Sequence, residues 1–130
     1  MFTVSQIQEA HKKVKSGAEF PQYIQEIKRF GVKSFETWVS DSHTVYFGES
    51  GFQTESQPKY EKLTVADRTD IDQFKVRLKI HQQGQTDYYT FCKDCAKTGV
   101  EKWIMDLNAM TCIYYDKQGN ELLLEQIPFP

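Results

Sequence analysis

A pattern that recurs at a spacing of 68 residues constrains this chain more than any other feature. Shifted by that amount, Phe20 falls on Tyr88, Tyr23 on Phe91, Gly31-Val32 on Gly99-Val100 and Phe35 on Trp103. Without a gap, the same shift carries Val45 onto Ile113, Tyr46-Phe47 onto Tyr114-Tyr115 and Gly51 onto Gly119. The stretches just before these align at 67: Val4 on Ile71, Ile7 on Phe74, Val14 on His81 and Gly17 on Gly84. The 130 residues make one domain by length. Two pseudo-repeat halves, about 3–58 and 69–127, could therefore share one sheet and one core.

Within each half the period of the apolar residues changes from helical to extended. Thr3 followed by Gln6 is a capping box, and Val4, Ile7, His11 and Val14 follow at helical spacing until Gly17. A second helix starts at Phe20-Pro21, carries Tyr23, Ile24, Ile27 and Phe30, and stops at Gly31. Phe35, Thr37 and Val39 then alternate with Ser34, Glu36 and Trp38, which predicts a strand. A turn at Asp41-Ser42 leads to a strand over 43–47, and Gly48 to Gly51 turns into a weaker one from Phe52. Residues 59–68 read as a connection. In the second half Thr69 or Asp70 caps a helix with Ile71, Phe74, Leu78 and His81, and Thr86-Asp87 caps one with Phe91, Cys92 and Cys95. Strands follow around Trp103, over 111–115 and over 121–127. The fold class is α+β: a two-layer sandwich, an antiparallel sheet with helices on one face, built from two ααβββ pseudo-repeats.

Composition narrows the function. Lysine and arginine (16) nearly balance aspartate and glutamate (18), which argues against a strongly basic nucleic-acid binder. The start of the chain shows no basic, apolar leader pattern, and no apolar run approaches membrane-spanning length. Three cysteines cannot all pair within one chain, which suits a reducing, cytoplasmic setting. Aromatic residues reach 14%, and the repeat assigns most of them to matched core positions.

Cys92-x-x-Cys95 invites a metal reading, with Cys112 and His81 completing a Cys3His set. The register opposes it, because Cys92, Cys95 and His81 fall on Ile24, Ile27 and Val14, where the first half places core residues. His11, His43 and His81 lie near no nucleophile motif, and Gly48-Glu49-Ser50-Gly51 lacks the Lys-Ser/Thr of a phosphate loop. If helices cover one sheet face, the other carries Ser34, Glu36 and Trp38 with Lys102, Ile104 and Asp106. Trp38, His43, Tyr46 and Ile104 are the candidate binding surface, Trp38 because its register partner is Asp106 and not an aromatic residue.

His43-Thr44-Val45-Tyr46-Phe47-Gly48, Phe91-Cys92-Lys93-Asp94, Gly99-Val100-Glu101-Lys102-Trp103 and Met110-Thr111-Cys112-x-Tyr114-Tyr115-Asp116 occur in that order. Together they resemble a group of small uncharacterised bacterial and prophage-encoded proteins, a domain of unknown function in which some members carry the label "phage envelope protein". The likeness extends from Met1 to about Pro128. It implies a compact two-layer α/β domain and brings no activity, cofactor or catalytic residue. The expectation is a small soluble cytoplasmic binding or regulatory module without catalysis. Its partner is another protein or a second copy in a homodimer, with no membrane partner and nucleic acid disfavoured. Two readings stand beside it: a metal-thiol or hydrolytic enzyme using Cys92, Cys95, Cys112 and His81, and a phage structural role by naming alone.

Overall fold

Thr3 opens the first helix as its spacing predicts. Its hydroxyl accepts from the Gln6 amide, and the Gln6 side chain accepts in return from the Thr3 amide at 2.8 Å. In the computed structural model, which describes residues 1–14 and 19–129, this helix α1 spans Val4–His11 and is shorter than the sequence spacing implies. Its end tightens into i→i+3 bonds, Lys13 to Ala10 and Val14 to His11. Val14 still packs against the core, and the proposed stop at Gly17 lies outside the described residues. Helix α2 (Phe20–Arg29) has Pro21 in its first turn, and α3 (Ile71–Gln82) and α4 (Tyr88–Lys97) are capped by Asp70 and Asp87. Behind α4, Gly99 takes φ +86° and lets the Val100 amide reach back to the Cys95 carbonyl at 2.9 Å.

Six strands follow the expected order: β1 (Ser34–Trp38), β2 (Thr44–Phe47), β3 (Gln53–Glu55), β4 (Lys102–Asp106), β5 (Thr111–Tyr115) and β6 (Glu121–Gln126). They form one antiparallel sheet in the order β3-β2-β1-β4-β5-β6. Just beyond the short third strand, the Ser56 amide donates to the Thr44 carbonyl (2.9 Å) and its hydroxyl accepts from the Thr44 amide (2.9 Å). The 59–68 connection then carries the chain across to α3 and α4, and β4 returns to the middle of the sheet beside β1.

Period-two alternation divides the sheet's side chains between two faces. Phe35, Tyr46, Trp103, Cys112 and Tyr114 are buried under the helices. Phe35 and Tyr46 join Ile7, Ile24, Ile27 and Met110 in one cluster, while Trp103, Cys112 and Tyr114 join Phe74, Leu78 and Phe91 in the other. Met105 packs against both, so the two halves share one core. The fold is α+β, with helices α1 to α4 against one face of an open sheet. No helix among the described residues is long and apolar enough to cross a membrane.

Candidate functional site

The uncovered sheet face follows from strand register. Glu36 lies opposite Val45 on one side and Ile104 on the other, Ile104 opposite Ile113, and Ile113 opposite Leu124. Directly paired residues point to the same side of a sheet, so these side chains make one row across five strands. A second row runs from Trp38 through Lys102 to Tyr115 and Glu121. His43 joins it beside Trp38, whose amide donates to the His43 carbonyl (3.1 Å). Their rings lie nearly parallel, 4° apart in plane, at 6.2 Å between centroids.

Lys102 is the centre of this second row. Its ammonium sits 4.7 Å from the Trp38 ring centroid and 5.7 Å from that of Tyr115, and it approaches the Glu36 carboxylate at 3.5 Å. The remaining charge on the face is acidic: Glu55, Asp106 and Glu121 stand exposed at its margins. Tyr115 senses that field. Burial pushes its phenol up, and the Glu121 and Glu36 carboxylates push it further. At the corner before β2, the Asp41 carboxylate accepts from the His43 amide (3.0 Å) and contacts its Nδ1 (2.6 Å). Burial alone would raise the Asp41 carboxyl, but these hydrogen bonds and the charges of His43 and Lys62 outweigh it, holding the carboxyl below the usual range. A nucleophile does not complete this pair, because the adjacent Ser42 is buried and its hydroxyl is bonded to Tyr88 at 2.6 Å.

Of the four residues expected at a surface, the fold brings Trp38, His43 and Ile104 onto the open face and places Tyr46 elsewhere. Tyr46 is buried beneath the helices, its ring 5.6 Å from that of Phe35. Parity accounts for this, since Val45 shares the face of its partner Glu36 and its neighbour Tyr46 must point the other way. Lys102, expected on this face, meets Trp38 there; Tyr115 was not expected on it, and its alternation with Tyr114 was the signal that could have found it.

The thiols have a different setting. Cys92, Cys95 and Cys112 are free and buried in the second core cluster, and burial raises all three. His81 stacks on Phe91 (4.4 Å between centroids, 12° between planes) and its Nδ1 contacts Thr86. Among the described residues, no three His, Cys, Asp or Glu side chains group to hold a metal, so the four proposed ligands do not form a site. Packing against Phe91 and Trp103 is the geometry these residues serve.

A family profile described as "Protein of unknown function (DUF1398)" matches residues 8–126. Uncharacterized proteins of Mycobacterium tuberculosis and Mycobacterium bovis are similar to this chain, each 24% identical over 97 residues. The aligned part is 74% of this chain and 59% of each relative, so the chain spans well under two thirds of their length. None of these descriptions mentions a phage.

Proposed function

Because the chain belongs to the DUF1398 family, whose description names no activity, we propose on geometric grounds that it is a non-catalytic binding module. Its open sheet face docks a protein segment that is apolar at its centre and basic at its edges. One observation carries this reading: the helices cover one face of the sheet, and the other presents Val45, Trp38, Ile104, Ile113, Tyr115 and Leu124 inside an acidic margin. Glu55, Asp106 and Glu121 would repel both a nucleic acid and a second copy laid face to face. A basic partner is favoured by the same charges. Six strands of three to six residues, rising about 3.4 Å per residue and lying about 4.8 Å apart, give a face of roughly 450 Å2. Stable interfaces bury about 800 Å2 per partner, so this surface suits a transient complex. The free thiols suit a reducing compartment, and the cytoplasm is the setting we assign. A role in a phage particle rests on resemblance alone and is no part of the proposal.

The duplicated architecture belongs to the same proposal. An offset of 68 takes Phe20–Arg29 onto Tyr88–Lys97 and Ser34–Trp38 onto Lys102–Asp106. Positive φ angles recur at that offset in Gly31 and Gly99, Ser42 and Met110, and Gly51 and Gly119. These coincidences support an ancestral ααβββ unit joined to a copy of itself.

The test uses two synthetic 18-residue amphipathic helices, one of Leu and Lys and one of Leu and Glu, titrated into isotopically labelled protein. The Leu/Lys peptide should shift the Trp38 indole N–H resonance saturably and leave that of Trp103 in place, and Ile104→Glu should abolish the shift. Equal response to both peptides, or none at millimolar concentration, overturns the reading. So does a concentration-dependent dimer that Ile104→Glu converts to monomer, which would make a second copy the occupant.

A further inference from the structure

We infer that the tyrosine-lined cleft between the 59–68 connection and the first turn of α4 is a binding site for a small planar aromatic anion. It lies on the helix side of the sheet, away from the open face, beside one of two corners that the duplication makes equivalent. Ser42 and Met110 are both non-glycine residues in left-handed conformation, with φ 61° and 57°, at the corners after β1 and β4. At the Met110 corner the packing is mainly apolar: Met110 is buried in one cluster with Ile24, Phe20 packs against it, and its one side-chain polar contact among the described residues is the Gln25 amide donating to its Sδ at 3.7 Å. The offset that relates the corners takes Ile24 to Cys92 and Phe20 to Tyr88. At the Ser42 corner the same places therefore hold a buried serine hydroxyl, a thiol and a phenol, with Ser42 Oγ and the Tyr88 hydroxyl 2.6 Å apart. Packing does not require that polarity, because the other half closes the same corner without it.

Beside this corner, and sharing Tyr88 with it, opens a cleft of about 510 Å3 lined by Lys59, Tyr60, Asp87, Tyr88 and Tyr89. Two of its rings are anchored at their tips. Tyr88 is held by Ser42, and the Tyr60 hydroxyl donates to the Val39 carbonyl at 2.6 Å. The third, Tyr89, is 43% exposed and lies with its centroid 5.0 Å from that of Tyr60. Anchored rings lose little freedom on binding, so they present a pre-organised stacking surface.

Charge selects the ligand. The Lys59 ammonium stands 5.5 Å from the Tyr88 ring centroid and that of Lys93 stands 4.8 Å from the Tyr89 centroid. A cationic guest would be repelled by these ammonium groups, whereas an anion whose ring stacks on the tyrosines would be attracted by them. Asp87 also lines the cleft and keeps its charge, its carboxyl held low by the Thr90 hydrogen bonds and the Lys93 and His81 charges, so it offsets one ammonium and leaves the other to meet an anion. The volume falls within the roughly 300–1,000 Å3 range of small-molecule sites. A nucleoside monophosphate and an aryl carboxylate share the required chemistry.

Calorimetric titration of the whole chain with adenosine 5′-monophosphate and with 4-hydroxybenzoate separates these sources, with adenosine, 4-hydroxybenzamide and inorganic phosphate as controls. At least one anion should bind one-to-one below about 1 mM, about tenfold more tightly than its neutral analogue and than phosphate alone. Lys59→Gln with Lys93→Gln, and separately Tyr89→Ala, should each weaken binding about tenfold, while Ile104→Glu on the open face leaves it unchanged. The inference fails if neither anion saturates by about 10 mM, if phosphate alone binds as well, or if the neutral analogue binds as tightly.

Discussion

Replacing Gly99 by alanine should destabilise the fold far more than the same change at Gly119, although both glycines have nearly the same backbone. Their φ angles are +86° and +83°, so the strain of placing an L-residue in the left-handed region is common to both, about 1–2 kcal/mol. Their surroundings differ. A Cβ at Gly119 would meet nothing within 4 Å, whereas one at Gly99 would lie 2.7 Å from the Arg68 carbonyl oxygen and 2.9 Å from the Thr69 Cα. Those atoms are backbone and cannot rotate aside. They are also tied down, because the Ala66 amide donates to Ala96 at 2.8 Å and the Asp70 amide to Thr98 at 3.0 Å. Overpacking of this kind adds about 1–3 kcal/mol, so Gly99→Ala should cost about 2–5 kcal/mol in total. Urea denaturation of the two variants and the parent at pH 7 measures the difference, provided the slope of the transition is unchanged. Equal midpoints for the two variants would refute the reasoning, because they would mean that the chain around Arg68 yields freely. The strap that would move also carries Tyr60 into the cleft, so Gly99→Ala should weaken anion binding there while Gly119→Ala does not.

Two further outcomes follow from the core. An unfolded thiol titrates near about 8.5, whereas burial raises all three folded thiols, Cys112 to about 12. Stability is thus fully present below the unfolded value and declines above it as the unfolded chain loses protons first, by about 1.4 kcal/mol per thiol per pH unit at most; a urea midpoint constant from about pH 7.5 to 9.5 would contradict this. Phe74 is fully buried and its ring centroid lies 5.0 Å from that of Tyr114, so Phe74→Ala should cost about 3–5 kcal/mol. Val76 on the same helix is 53% exposed, and Val76→Ala should shift stability by no more than about 0.5 kcal/mol in the same melts.

Much of the architecture was legible because it is written locally. The Thr3–Gln6 box, the Asp70 and Asp87 caps and the glycine beyond α4 act within a few residues of themselves, and each stands where its spacing placed it. The cysteines were legible by comparison, since Cys92 and Cys95 fall on Ile24 and Ile27, and all four are fully buried. Element ends were less legible. The tightened turn after His11 and the inward hydroxyl of Ser56 depend on neighbours that local periodicity does not specify. Tyr46 shows a different limit: its aromatic character drew it to the surface set, while its parity against Val45 assigned it to the core.

By itself, the sequence determined which residues alternate, and therefore that Trp38 and Glu36 share a face opposite Phe35 and that Ile104 opposes Trp103. Side chains on a regular pleated strand reverse at every residue, a local property that is interrupted here where the β5–β6 register shifts between Tyr114 and Tyr115. Only the tertiary structure decided what those faces meet. Pairing β1 with β4 joins strands from the two halves, and it puts Lys102 over Trp38 and beside Glu36. Ser42 reaches Tyr88 across 46 residues, and Tyr60 reaches Val39 across 21. Such contacts form because folding closes long loops over a shared core, and the loops themselves contain no local pattern that specifies the partner.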